Sequence, residues 1–391
     1  MGFDTAALKS WALEIQEHLD DFSNEDYQMG KSSQAAYLDK LKFRMEDLLK
    51  DQCQEIRDRL RSEFFSWGPL EDLISQGDIC EIMVNGPDSI WFERNGFLQK
   101  LEDSFLSLTT YRNIFDSIAQ SAGVHPTAEF PIADGQTGPF RLNIVRSELH
   151  PGTDILSLRR HPENPWTLNQ LVQNRWCTEA DQKMIQAWVH QGKNFLVIGP
   201  TSSGKTSVLN ACLCATGLSE RSVILEDSSE IKTPNDISLK LLTRKDSQGI
   251  LSEITLMDLL KTALRLRPDR LVIGEMRGAE AKDFLMALSS GHRGSLGTLH
   301  AEGPGQALLR LEMLVQLGAP QWNLTAIRRL IHMSLDGILV TGRDAQGQRK
   351  FKGIYALASL EGDGFTLDKL DSGIFSSISS ERGASVSLAS V

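Results

Sequence analysis

The sequence contains no apolar run approaching the roughly 20 residues that cross a bilayer, and its start, Met1 to Leu19, is acidic and amphipathic. That start lacks the basic and then apolar succession of a signal peptide. Both absences predict a chain that stays in the cytosol. Cysteine is scarce: Cys53, Cys80, Cys177, Cys212 and Cys214 are odd in number, scattered, and without metal-ligand spacing. Reduced thiols are expected rather than a disulfide framework. Cys212 and Cys214, two apart on a helix, do not face each other. Positive charge is also in deficit, with 41 Lys and Arg against 51 Asp and Glu and a formal net charge of -10. A chain that wraps nucleic acid needs a basic surface, so no direct nucleic-acid binding is expected.

What is present points to a globular protein of several domains. The 391 residues, 41% hydrophobic and 24% charged, exceed one ordinary core. Residues 34 to 65 place Leu38, Leu41, Met45, Leu48, Leu49, Ile56 and Leu60 at helical spacing, which predicts one long amphipathic helix packed on its own domain. From Ile79 the pattern turns to α plus β. Ile82-Met83-Val84 reads as a strand, and Ile90 to Arg94 and Phe97 to Leu101 flank Asn95-Gly96 as a hairpin. A helix is expected from Thr109 to Ala122, and strands from Phe140 to Arg146 and Ile155 to Arg160. These readings divide the chain into a helical region (1–64), an α+β domain (65–160), a linker (161–172), a nucleotide-binding domain (173–361) and a Ser-, Gly- and Ala-rich tail (362–391) expected to be disordered.

The most informative stretch is Gly199-Pro200-Thr201-Ser202-Ser203-Gly204-Lys205-Thr206-Ser207, directly after the apolar run Asn194 to Ile198. A buried strand delivers the chain to a tight turn whose N–H groups converge on phosphate oxygens, and the following helix adds positive potential at its start. In this P-loop, Lys205 is expected at the β and γ phosphates and Thr206 at Mg²⁺. Ser202 stands where glycine is common, and a left-handed backbone there would strain it. Strands at Ser222 to Leu225 and Leu271 to Ile273 alternate with helices, including a long one from Ser252 to Leu266. Such alternation predicts an α/β fold with a parallel sheet and chemistry at the strands' carboxyl ends.

Two strands end in acids. Leu271-Val272-Ile273-Gly274-Glu275 makes Glu275 the expected general base, and Val223-Ile224-Leu225-Glu226-Asp227 puts Glu226 in line to share the metal and water work. In Gly291 to Ala301, His292 and His300 lie eight apart, a spacing that suits no zinc site, and a phosphate- or carboxylate-sensing role fits them better.

The ordered set of P-loop, Leu225-Glu226-Asp227, Arg267 to Arg270 before Gly274-Glu275-Met276-Arg277-Gly278, and Gly291-His292 to Leu299-His300-Ala301 resembles the secretion ATPase superfamily of type II and type IV secretion and type IV pili. Glu81 to Asp88 and Ile90 to Gly96 are most similar to its CpaF-type branch, which assembles tight-adherence (Tad/Flp) pili. The resemblance covers about residues 65 to 358. It implies a homo-hexamer, each subunit pairing a smaller α+β, PAS-like N-terminal domain with a RecA-like ATPase domain, and ATP with Mg²⁺ as ligands. It further implies two N-terminal-domain arginines near the γ-phosphate, which by motif are Arg141 and Arg159. Here five residues, Gln136 to Phe140, separate Asp134-Gly135 from Arg141, where the family brings its arginine in almost at once.

The function so implied is a cytoplasmic motor, peripheral to the inner membrane, that acts through inner-membrane pilus-platform or secretion proteins. A type IV secretion traffic ATPase and an ATP-gated scaffold without productive turnover are the alternatives.

Overall fold

The structure, a computed structural model, describes residues 6–17, 42–43, 45–94, 96–161, 165–244, 251–361 and 364–370. The chain divides into two compact units, Met1–His161 and Pro162–Val391. Among the described residues, no helix is long and apolar enough to cross a membrane.

The first unit is built on a sheet of six antiparallel strands: β1 (Ile79–Gly86), β2 (Ser89–Arg94), β3 (Phe97–Lys100), β4 (Ile132–Thr137), β5 (Phe140–Val145) and β6 (Ile155–Arg160). They run in the order β3-β2-β1-β6-β5-β4. Alternate residues face the core, as in β5, where Phe140, Leu142 and Ile144 are buried. The helix Leu108–Ser121 contributes Tyr111, Ile114, Phe115 and Ile118 to that core. Its start is fixed by a capping box in which Ser107 and Thr110 satisfy each other's backbone N–H groups. Arg94 and Phe97 pair across the expected hairpin turn.

The expected single helix over 34–65 does not form. Residues 34–41 lie outside the described residues, and the helix Gln54–Phe65 is separated from helical residues 45–48 by a turn. The break allows Met45 and Leu49 to fold onto Leu60, beside Leu8, Ala12, Ile15 and Leu106. Burial of one small apolar cluster thus overrides a continuous helical period. Beneath it, Glu63 is buried and fully engaged. It accepts hydrogen bonds from Thr110 Oγ1 (2.5 Å), the Leu106 N–H (2.8 Å) and Arg59 (2.8 Å).

The second unit carries an eight-stranded sheet, ordered β14-β13-β12-β7-β11-β10-β8-β9. Its strands are β7 (Phe195–Gly199), β8 (Ser222–Glu226), β9 (Leu239–Leu242), β10 (Arg270–Ile273), β11 (Leu296–His300), β12 (Gly337–Arg343), β13 (Arg349–Glu361) and β14 (Gly364–Lys369). β12, β7, β11, β10, β8 and β9 are parallel neighbours, as the strand and helix alternation predicts. Both faces are covered, so the central strands read as unbroken apolar runs. Leu196 and Ile198 face one core with the helices Glu280–Ser289, Pro304–Gly318 and Leu324–Ser334. Phe195 and Val197 face the other, with Glu179–His190 and Lys205–Leu213.

Three expectations are corrected in this unit. The long helix from Ser252 shortens to Leu256–Ala263, because Ile254 pairs with Arg244 in a β-bridge and Thr255 caps the helix on the Asp258 N–H. The sheet is not wholly parallel, since β13 and β14 add an antiparallel extension. The sequence from Gly362 is not all tail: residues 364–369 form β14, whose Phe365 and Leu367 pack against the core, while 371–391 lie outside the described residues.

The origins of the three central strands are tied together by Asn194. Its buried amide donates to the Ser334 carbonyl (2.9 Å) and accepts from the Ser295 N–H (2.9 Å), while its own N–H reaches Asp336 (2.8 Å). Asn194→Ala strands two buried backbone groups and is expected to cost about 2–4 kcal/mol. In urea unfolding of the full chain, the transition of the Pro162–Val391 unit should move to lower denaturant; an unchanged midpoint would rule the clamp out.

Candidate functional site

Four strand ends define the site. Gly199 closes β7, Glu226 closes β8, Gly274-Glu275 follows β10 and His300 closes β11, all at the carboxyl edge of the parallel sheet.

The P-loop begins where no side chain fits. A Cβ on Gly199 would meet the Thr341 carbonyl oxygen at 2.4 Å. The chain then turns, the Ser203 N–H reaching back to the Pro200 carbonyl at 3.3 Å. It enters the helix Lys205–Leu213 through Gly204 at φ 90. Ser202 occupies the left-handed region at φ 58, the strained alternative for a serine at this position. For an L-residue that conformation costs about 1–2 kcal/mol. Thr206 and Ser207 lie half-buried in the first turn of the helix, where unpaired N–H groups and the helix dipole favour an anion.

Lys205 is nearly buried. Its Nζ donates to the carbonyls of Gly199 (3.2 Å) and Pro200 (3.0 Å) and lies 3.3 Å from His300 Nδ1. Because an ammonium only donates, Nδ1 is the acceptor and the imidazole proton sits on Nε2. His300 Nε2 is 3.1 Å from Glu275 Oε1, and Arg277 donates to Glu275 Oε2 at 2.6 Å. A continuous relay therefore runs Lys205, His300, Glu275, Arg277. Burial, then the charge of Lys205, holds His300 below its ordinary value despite the opposing pull of Glu275, which keeps the imidazole neutral. Partial burial raises the Glu275 carboxyl, but the hydrogen bond and charge of Arg277, with His300 and Lys205, outweigh it and leave Glu275 below the usual range. The loop between them is braced by Glu280, which accepts the N–H groups of Arg277 (2.7 Å) and Gly278 (2.8 Å).

Glu226 is in the opposite condition. Its side chain crosses Gly274 so closely that a Cβ there would stand 2.9 Å from Glu226 Cγ. Oε1 accepts the N–H groups of Glu230 (3.1 Å) and Ile231 (3.0 Å), anchoring the loop after β8. Oε2 is buried without a hydrogen-bond partner and has Lys240 Nζ at 3.5 Å. Burial, only partly offset by Lys240 and the two N–H groups, pushes this carboxyl up to about 7.

The remaining expected residues divide. His292 is not brought to the site, because it precedes β11 whereas His300 ends that strand, whose five residues span about 13 Å at strand rise. Its Nδ1 donates instead to the Ala287 carbonyl at the end of the helix Glu280–Ser289 (3.0 Å). Arg141 and Arg159 belong to the first unit, where they are direct partners across β5 and β6. The extra residues before Arg141 form the β4–β5 turn, with Gln136 opposite Arg141. Three contributors escaped sequence reasoning: Lys240 and the pair Arg343 and Arg349. Arg277 was visible within Gly274 to Gly278, two residues beyond Glu275, but only the structure shows it gripping that carboxylate.

Mg²⁺ takes much of its oxygen shell from phosphates and water, so the chain need offer it little. The Thr206 hydroxyl, half-buried in the first turn of the helix, fits that requirement, whereas Glu226 Oε2 is buried beside Lys240 Nζ and would have to be uncovered to join it.

The condition of Glu226 has a consequence for stability. Between its ordinary value of 4.5 and about 7, the folded chain keeps a proton that the unfolded chain has released. The stability this contributes is full below 4.5 and is lost as pH rises through about 7. Glu226→Gln stays neutral throughout, so its advantage in thermal melts should be larger at pH 8 than at pH 5, by on the order of 3 kcal/mol. Equal advantage at both pH values would overturn this description.

A family model described as Type II/IV secretion system protein matches residues 65–341. A putative conjugal transfer protein of Mycobacterium tuberculosis is 33% identical over 310 residues, covering 78% of this chain and 88% of its own length. The type IV secretion system protein PtlH of Bordetella pertussis is 31% identical over 321 residues, with coverage of 75% and 94%. Among solved structures, the ATPase DotB of Legionella pneumophila superposes with a TM-score of 0.55 at 18% identity, over 74% of this chain and 80% of that one. The pilus retraction motor PilT with bound ADP gives 0.53 at 18% identity, over 80% and 85%. The structural likenesses speak for the fold, a RecA-like P-loop domain preceded by an α+β domain. Together with a family match over most of its length, they lead to one conclusion: the chain belongs to the type II/IV secretion system protein family and is a secretion ATPase.

Proposed function

We propose that this ATPase is a homo-hexameric motor at the cytoplasmic face of the inner membrane, driving a Tad/Flp-type pilus through inner-membrane platform proteins. The observation that carries the hydrolytic part is the relay from the P-loop lysine through His300 to the carboxylate after β10. An incoming phosphate offers Lys205 a stronger acceptor than two loop carbonyls, so nucleotide loading disturbs every later member of the relay.

The electrostatics favour a division of labour different from the one the motifs suggest. Glu275, held by two partners and low in basicity, is a poor proton acceptor. Glu226, whose Oε2 has no hydrogen bond and only the ion pair to Lys240, and whose affinity for protons lies near neutrality, is the better candidate for general base. In this reading water attacks the γ-phosphorus, the bond from that phosphorus to the β,γ-bridging oxygen breaks, and the water proton passes to Glu226. Lys205 neutralises charge on the phosphates, while Glu275 and His300 set the position of Lys205. Mg²⁺ would be held through Thr206, leaving Glu226 to take the water proton, and would supply Lewis-acid charge on the phosphate oxygens. Arg141 and Arg159, a paired cation on one face of the first unit's sheet, are the candidates for additional γ-phosphate contacts.

The pilus assignment rests on the resemblance of Glu81 to Asp88 and Ile90 to Gly96 to the Tad branch. A type IV secretion traffic ATPase is the second reading, favoured by relatives named for conjugal transfer and type IV secretion. The net charge of -10 favours protein partners over nucleic acid in both.

Steady-state ATP hydrolysis, with light scattering on the same samples, tests the motor. Lys205→Ala and Glu226→Gln should each lose about 10²-fold or more in turnover, and Glu275→Gln should also be strongly impaired. A hexamer that binds ATP without turnover would replace the motor by a nucleotide-gated scaffold. Deletion of the gene separates the cargo readings, pili being lost in one and secretion in the other.

A further inference from the structure

The β12–β13 hairpin reaches the P-loop from outside, and its contacts converge on the strained residue. Arg343 and Arg349 are direct cross-strand partners at the end of the hairpin. Arg343 donates to the Ser202 carbonyl at 3.0 Å, and Arg349 Nε donates to the same oxygen at 3.0 Å. Arg343 is itself steadied by the Gly347 carbonyl of the hairpin turn (2.8 Å). The aliphatic stem of Arg349 lies along Gly204, with Cδ 3.3 Å from where a Cβ would stand. One residue further on, Thr341 of β12 donates to the Ser203 carbonyl at 3.0 Å, and Trp176 donates to that hydroxyl at 3.3 Å.

Two successive carbonyls of the loop are thus drawn outward by one hairpin. In a trans peptide the carbonyl and the following N–H point opposite ways. Holding the Ser203 carbonyl outward therefore turns the Gly204 N–H toward the loop interior. Holding the Ser202 carbonyl fixes the next peptide plane and keeps the Ser203 N–H on Pro200. Ser202 is the third residue of that Pro200–Ser203 turn, a position whose positive φ suits glycine and not serine. A serine here favours negative φ, which would turn the converging N–H groups apart.

We propose that Arg343 and Arg349 are positioning residues for nucleotide: acting together on the Ser202 carbonyl, they hold a glycine-deficient P-loop in its phosphate-receiving shape. The inference rests on the reading of this loop as the ATP site. It assigns the hairpin arginines a task in the same subunit that the loop's own sequence leaves undone.

The test is equilibrium binding of the fluorescent analogue mant-ATP, with Mg²⁺, to the full chain. Arg343→Gln with Arg349→Gln should raise Kd about tenfold, the equivalent of releasing one strained residue. Adding Ser202→Gly to the double variant should restore binding to within about threefold of the parent. An unaltered Kd in the double variant would overturn the proposal. So would a loss that Ser202→Gly fails to repair, because the arginines would then act on the nucleotide by charge. Should thermal melts show the double variant unfolded, each single variant is read instead, about threefold being expected and no change being fatal. Lys205→Ala keeps the two readings apart. If the parent does not bind mant-ATP saturably, or Lys205→Ala binds equally well, it is the nucleotide site that fails; if those controls hold, only the hairpin's role is at stake.

Discussion

A nearly buried ammonium is the constraint on which this site depends. A buried ammonium must have its donors matched, and those of Lys205 meet Gly199, Pro200 and His300. That requirement curls the P-loop around the amine, fixes the tautomer of His300, and through His300 aligns Glu275. Any phosphate that binds must take the ammonium from these partners. The loop, the β11 end and the β10 end are therefore one electrostatic unit.

The two acids at neighbouring strand ends illustrate how environment, not residue type, assigns chemistry. Glu226 ends one parallel strand and Glu275 follows its neighbour, yet one is buried with an oxygen that only Lys240 approaches and the other is gripped by a guanidinium and an imidazole. Their affinities for protons are pushed in opposite directions. Separation of this kind lets two carboxylates at one site serve as proton acceptor and as fixed charge.

Much of this was legible in the sequence, and what was missed has physical causes. The P-loop, both acidic strand ends and His300 were readable because a phosphate site needs those groups at strand ends, and unbroken apolar runs mark buried strands. The asymmetry between Glu226 and Glu275 was not readable, since it depends on Gly274 giving way to a side chain and on Arg277 folding back. His292 was drawn in by its motif, although a strand's length separates it from His300. The break before Gln54 was hidden because nothing in residues 49–53 forbids a helix; a long-range apolar cluster decides it. β14 was lost among Gly and Ser because its partner β13 lies in sequence just ahead of it and its core contacts are few.

The position of His300 has a mechanical side. β11 is hydrogen-bonded to β7 at five successive residue pairs and flanked by β10, and it is buried throughout except at its final histidine. A strand so held can neither stretch nor bend appreciably. Moving His300 alone would break ladder pairs to β7 and uncover buried residues, so the end of β11 is held by the strands on either side of it. The catalytic edge of β11 is thus anchored through its neighbours, and His300 owes its position to the ladder as much as to Lys205 and Glu275.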